Sequence, residues 1–255
     1  MTWEAPTGKI FVPQDAVDLL RSLPDACVNL LVTDPPYNSL EKHRKRGTTT
    51  RLSQSGGSSN KWFDVVPPEY FVPFFAEVYR VLAPDSHAYV MCDGDMLRIL
   101  PDMGEAAGFK FWKALIWDKE AMGMGYHYRA QHEFILFFEK GKRSLNSLAI
   151  SDVLRFKRIK SKHAYPTEKP VPLLQVLIEQ STEAGEFVLD PFCGSGSTIE
   201  AAIRSGRHFL ACDKSDDAVA LSTARVIRTL DHLASAPPKQ KPDVCQYSIL
   251  DLAVP

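Results

Sequence analysis

No two of the five cysteines (Cys27, Cys92, Cys193, Cys212, Cys245) are spaced C-x-x-C, and their number is odd. Such scattered thiols argue against a disulfide scaffold and a thiolate zinc site, and for reduced cysteines. H-E-x-x-H is also missing among the seven histidines, so no metal is expected. Excess charge is absent: the 255 residues carry a net charge of −1, and the overall balance therefore selects no partner. No apolar run is long enough to span a bilayer, and the opening residues lack the pattern of a signal peptide. A soluble, cytoplasmic protein is expected. Neither an internal repeat nor a clear domain boundary is visible, so residues 1–233 are read as a single domain and 234–255 as a linker and tail.

Short apolar runs of strand type occupy residues 9–12, 28–33, 87–92, 111–117, 133–138, 186–189 and 208–212. Most are apolar throughout rather than alternating, as strands covered on both faces are. Helical periodicity falls between them, at 15–23, 73–82, 170–181 and 215–233, the last opening on Ser215 as an N-cap. Alternating strands and helices predict an α/β fold with a mostly parallel, doubly wound sheet. Residues 39–60 are polar and rich in Gly, Ser and Thr. They read as a long loop of the kind that is functional or disordered inside a compact domain.

Two stretches carry chemistry. "TDPPYN" (33–38) follows the apolar run 28–32. Two prolines fix two φ angles, remove two N–H donors and push the preceding residues towards extended geometry. The result is a stiff platform of a carboxylate, outward carbonyls and an aromatic ring. The plain reading is a turn in which Asp34 caps and Tyr37 is half-buried. "FVLDPFCGSGSTIEAAI" (187–203) runs from an apolar strand through a glycine turn into a helix. Gly194 and Gly196 let a backbone approach a ligand, and the helix start near Ser197 and Thr198 offers N–H groups. Asp213 closes the next strand 17 residues after Gly196, where nucleotide-binding folds grip a ribose diol. The third glycine of the dinucleotide fingerprint is missing, which disfavours NAD or FAD.

Together, "DPPY" (34–37), "YPTEKP" (165–170) and "DPFCGSGST" (190–198) resemble, in this order, the catalytic and cofactor motifs of the S-adenosylmethionine-dependent DNA amino-methyltransferases. The catalytic motif precedes the cofactor motif, as in the permuted β class of that family. "GYHYRAQHEFILFFEKG" (125–141) resembles its middle strand region, and Tyr165 stands where histidine is commoner. The resemblance covers roughly residues 9–230. It implies a Rossmann-like, seven-stranded, mostly parallel sheet with helices on both faces. S-adenosyl-L-methionine is the implied cofactor, held by Asp190, Phe192, Cys193, Gly194, Gly196, Ser197 and Thr198. Asp213 would take the ribose hydroxyls, Asp15 the adenine edge, and Thr167 and Lys169 the methionine moiety, beside Asp34. Asp34, Pro35, Pro36 and Tyr37 are the implied catalytic set. The Asp34 carboxylate and the Pro35 carbonyl would accept the two N–H bonds of an exocyclic amino group and free its lone pair. Tyr37 would stack on a base flipped out of the duplex.

Two basic runs stand beside these motifs. "EKHRKRGTTTR" (41–51) holds five Lys/Arg and one acid, "RFKRIKSK" (155–162) five and none. A charge run is more often a solvated face. The position of these two predicts phosphate contacts from Lys42, Arg44, Lys45, Arg46, Arg51, Arg155, Lys157, Arg158 and Lys160 to double-stranded DNA. The interval 142–164 is a short target-recognition segment, and a homodimer is expected. His127 and His132 read as structural or DNA-facing. No Pro-Cys dipeptide is present, which argues against attack on a ring carbon. N6 of adenine is the favoured acceptor, with N4 of cytosine as the alternative. A catalytically idle DNA-binding protein, an RNA or protein amide methyltransferase and a nicotinamide oxidoreductase are weaker readings.

Overall fold

The computed structural model describes residues 2–5, 7–11, 14–36, 66–123, 127–159 and 168–235. Its frame is one sheet whose strands follow the chain as β1 (Thr2–Ala5), β2 (Gly8–Phe11), β3 (Val28–Thr33), β4 (Leu82–Cys92), β5 (Lys110–Asp118), β6 (His132–Lys140), β7 (Val153–Arg155), β8 (Phe187–Asp190) and β9 (His208–Cys212). Their order across the sheet is β1-β2-β9-β8-β3-β4-β6-β5-β7. The seven expected strands are all present and contiguous, and one short strand is added at each edge. Among the described residues the sheet therefore holds nine strands, the seven expected ones and these two edge strands. β1 is a hairpin partner of β2, and β7 has three residues, too few for any periodicity to show. Strands β2, β9, β8, β3 and β4 pair in parallel, while β6 is antiparallel to both β4 and β5.

The apolar runs did not alternate because both faces of the sheet are buried. On β4, Ala88, Val90 and Cys92 enter one core, and Tyr89 and Met91 the other. On β9, Leu210 and Cys212 face the first, Phe209 and Ala211 the second. Helices α1 (Ala16–Ser22), α2 (Phe71–Val81) and α3 (Leu100–Ala106) cover the first core through Leu19, Leu20, Phe71, Phe74, Phe75 and Leu100. Helices α4 (Val171–Ser181), α5 (Ser197–Arg204) and α6 (Asp216–Ser235) cover the second through Leu173, Leu177, Ile199, Ile203, Val219 and Val226.

Local signals set the helix ends. Asp15 caps α1, accepting from the Val17 N–H at 2.9 Å. Leu23 turns extended before Pro24, as the residue preceding a proline does. α2 starts two residues before the expected Pro73, because proline is tolerated in a first turn. Ser215 caps α6, its Oγ accepting from Ala218 N at 3.3 Å, as expected. Among the described residues no helix is long and apolar enough to cross a membrane.

The strand order reverses between β8 and β3. From β8 the chain crosses through α5 to β9 on one side, and from β3 through α2 to β4 on the other. Helices on opposite faces leave a crevice at the carboxyl ends of β8 and β3, the place where doubly wound sheets take ligands.

Candidate active site

Three acids stand at the carboxyl ends of three adjacent strands. Asp213 follows β9, Asp190 ends β8 and Asp34 follows β3. Two strand spacings separate the outer pair, about 10 Å. Asp190 is buried, and its Oδ1 accepts from Thr33 Oγ1 at 2.8 Å and from Phe192 N at 3.2 Å. The glycine turn folds over these ends. Cys193 N donates to Cys212 O at 2.9 Å, Gly194 N to Asp213 Oδ2 at 2.9 Å, and Ser215 N to Asp213 Oδ1 at 2.9 Å. Gly194 and Gly196 have φ of 49° and 81°, the left-handed geometry that glycine adopts without strain. Gly196 then caps α5, whose N-terminus stands at the same edge.

Asp15 is drawn into this edge by Gln14 N, which donates to Asp213 O at 3.2 Å. Its carboxylate is already engaged: besides capping α1, Oδ1 accepts from Tyr70 Oη at 2.7 Å. The Phe192 ring leans on Phe74 and Tyr70, at 5.6 and 6.4 Å between centroids. Cys193 turns its thiol away from the crevice, towards Ser222 Oγ at 3.8 Å in the second core. Of Cys193, only the backbone therefore borders the turn.

The other half of the edge is a row of alternating charge. Lys169 is buried and donates to Asp34 Oδ2. Its Nζ lies 3.7 Å from Glu133 Oε2, and Lys119 Nζ donates to Glu133 Oε1 at 3.1 Å. Burial raises the Asp34 carboxyl above its ordinary range against the pull of Lys169. Burial also works to raise Glu133, but Lys169 and Lys119 outweigh it and hold that carboxyl low. Burial would lower Lys169, yet Asp34 and Glu133 keep its ammonium firmly protonated. A second cation anchors the same segment. Arg225 of α6 donates to Glu168 and, at 3.1 Å, to Ser197 Oγ, with Glu200 at 3.4 Å. It ties residues 168–170 to the start of α5. Arg225→Met strands Glu168 and is expected to cost about 2–4 kcal/mol in urea unfolding, with Arg225→Lys recovering only part because one ammonium cannot replace a planar fork. A loss near zero would contradict the clamp.

Asp190 titrates unusually. Burial pushes its carboxyl up to about 6, although the Thr198 and Thr33 hydroxyls and the Phe192 amide pull it back. The unfolded group ionises near 3.8, so between those values the folded chain binds more protons and its stability falls as pH rises. Asp190→Asn removes this loss while keeping an acceptor for Thr33. Relative to wild type, the variant is expected to gain up to roughly 3 kcal/mol between pH 4 and pH 6.5. Parallel stability profiles would contradict the assignment.

Of the expected site residues, the structure gathers Asp15, Asp34, Pro35, Pro36, Lys169, Asp190, Phe192, Gly194, Gly196, Ser197, Thr198 and Asp213 at one edge. Tyr37, Thr167, Lys42, Arg44, Lys45, Arg46, Arg51 and Lys160 lie outside the described residues. Arg155 is exposed, 3.7 Å from Asp118 at the carboxyl end of β5, and Lys157 and Arg158 follow it, exposed. The expected recognition segment divides. Residues 146–147 are tied to Glu179, Gln180 and Thr182 at the far end of α4, on the opposite edge of the sheet, while β7 runs beside β5 to the edge that carries the site. Glu133, Lys119, Arg225 and Tyr70 were not foreseen. A charged residue heading an apolar strand, as Glu133 does, was the available signal.

Residues 28–224 match the family model described as DNA methylase, that of the N6/N4 methyltransferases. YubD of Escherichia coli (strain K12), provisionally named a methylase, is 31% identical over 203 residues, 80% of this chain and 83% of YubD. TTHA0409 of Thermus thermophilus, provisionally a DNA modification methylase and solved with S-adenosyl-L-methionine, superposes with a TM-score of 0.64 at 21% identity, over 85% of this chain and 92% of that one. The cytosine-N4-specific PvuII DNA methyltransferase superposes with a TM-score of 0.68 at 19% identity, over 88% and 90%. At such identities these two establish the fold alone. The family match takes in β3, β8 and β9 and the whole crevice between them, and by it the chain belongs to the DNA methylase family of N6/N4 amino-methyltransferases.

Proposed function

We propose that the chain methylates the exocyclic amino group of a base in double-stranded DNA, with N6 of adenine as the acceptor and S-adenosyl-L-methionine as donor. The observation that carries this is the placement of Asp34–Pro36 beside the glycine turn, at the point where the strand order reverses. The donor set fits such a cofactor. Asp213 is a carboxylate at a strand end, suited to a ribose diol. Phe192 offers an apolar face, and the N-terminus of α5 suits a carboxylate. Bound there, the cofactor supplies an electrophilic methyl group on a sulfonium.

The chain's own residues do the rest. Asp34 and the Pro35 carbonyl accept the amino hydrogens. This holds the nitrogen in one orientation and loosens its lone pair from the ring. The two prolines keep those acceptors out of any ladder. Arg155, Lys157 and Arg158 reach phosphates from the exposed rim at the end of β7. Adenine is preferred to cytosine on the Asp-Pro-Pro-Tyr motif. The test is nucleoside mass spectrometry of unmethylated plasmid DNA incubated with the protein and S-adenosyl-L-methionine. N6-methyladenine supports the reading. N4-methylcytosine moves the acceptor to cytosine, and no methylated nucleoside overturns the activity.

A further inference from the structure

Lys169 has two acids within reach, and the structure uses them unequally. Its ammonium is on Asp34, while Glu133 Oε2, 3.7 Å away, is buried and has no hydrogen-bond partner among the described residues. The other oxygen, Oε1, is pinned by Lys119 at 3.1 Å, so the carboxylate is fixed with its unpartnered oxygen beside Lys169. A buried acceptor with a charge nearby but no hydrogen bond is a standing penalty, and a charge-assisted bond to it needs a shift of only about 1 Å.

The reaction makes such a shift useful. Asp34 must accept a base N–H, and a carboxylate already holding a buried ammonium has less to offer. Moving that ammonium into an apolar space would leave a stranded charge. We infer that Glu133 is a positioning residue that receives the Lys169 ammonium as Asp34 turns to the amino group of the base. Lys119 balances Glu133 in either state, so the net charge of the row does not change. The inference rests on the role given to Asp34 above.

Two measurements test it. The first needs no methyl transfer. Glu133→Gln, Asp34→Asn and the double variant are unfolded in urea, with Lys169 present and in a Lys169→Met background. Each single variant leaves Lys169 one of these two acids, so the expected midpoint loss of the double variant exceeds the sum of the singles, and the excess disappears with Lys169→Met. Additive losses overturn the shared ammonium. The second measurement is steady-state methylation. Glu133→Gln is expected to lower kcat by on the order of 10- to 100-fold with KM for S-adenosyl-L-methionine within about threefold, and Glu133→Asp to recover part of it. An unchanged kcat, or a loss confined to KM, overturns the positioning role. A wild-type chain that methylates nothing overturns the reading of the previous section and the kinetic role with it, and the urea result still decides whether the ammonium is shared.

Discussion

Asp34→Ala is expected to reduce methyl transfer by on the order of 10³-fold, the scale on which preorganised polar groups at a reacting centre act. Folding should survive. Lys169 keeps Glu133 within 3.7 Å, and the residues around Asp34 are held by β3 and two prolines rather than by its side chain. Asp34→Asn keeps one acceptor oxygen without the charge and is expected to fall between alanine and wild type. Cofactor affinity, read by calorimetry, should change far less than turnover, since the carboxylate acts on the acceptor. Activity within about threefold of wild type in a folded Asp34→Ala protein would remove Asp34 from the chemistry.

Gly196→Ala is expected to have the largest effect on stability, a loss of about 3 kcal/mol or more. Left-handed backbone is unfavourable for any side chain by about 1–2 kcal/mol, and overpacking adds about 1–3. The φ of 81° is one cause. The other is Ser222 on α6, whose Cβ and Cα would lie 2.8 and 2.9 Å from a Cβ at position 196. Neither atom can swing aside, so α6 itself must move, and with it the Arg225 clamp on residues 168–170. Loss of cofactor binding should accompany the loss of stability. Ser222→Gly in the same chain removes one of the two clashes and is expected to restore part of both. Wild-type stability for Gly196→Ala in urea would mean that the turn does not need this close approach.

Much of the molecule was legible because its signals are local. Uniform apolar runs reported strands buried on both faces, and Ser215 announced a helix start that its side chain does make. Helix α3 was missed because its periodicity is interrupted. Gly104 sits where a Cβ would be 2.5 Å from the Phe138 ring, so packing against β6 selects the residue with the poorest helix propensity after proline. The glycine turn and the Asp-Pro-Pro platform could be read as separate stretches, but not their distance. Thr33 bonding Asp190 across 157 positions of sequence is a product of strand order. Glu133 shows the limit most clearly. Strand β6 runs antiparallel to β4, so its first residues, not its last, lie at the active edge. Periodicity carries no strand direction, so nothing in it places a glutamate at the start of a strand beside the site. Asp15 gave the opposite lesson: a residue singled out for a ligand is also a helix cap bonded to Tyr70.

The most direct measurement of the central claim is single-molecule sequencing of genomic DNA from a methylation-free host expressing this chain, beside an Asp34→Ala control. The account predicts N6-methyladenine confined to one sequence motif and absent from the control. Unmethylated DNA from both strains, with the wild-type protein folded and abundant, would contradict it.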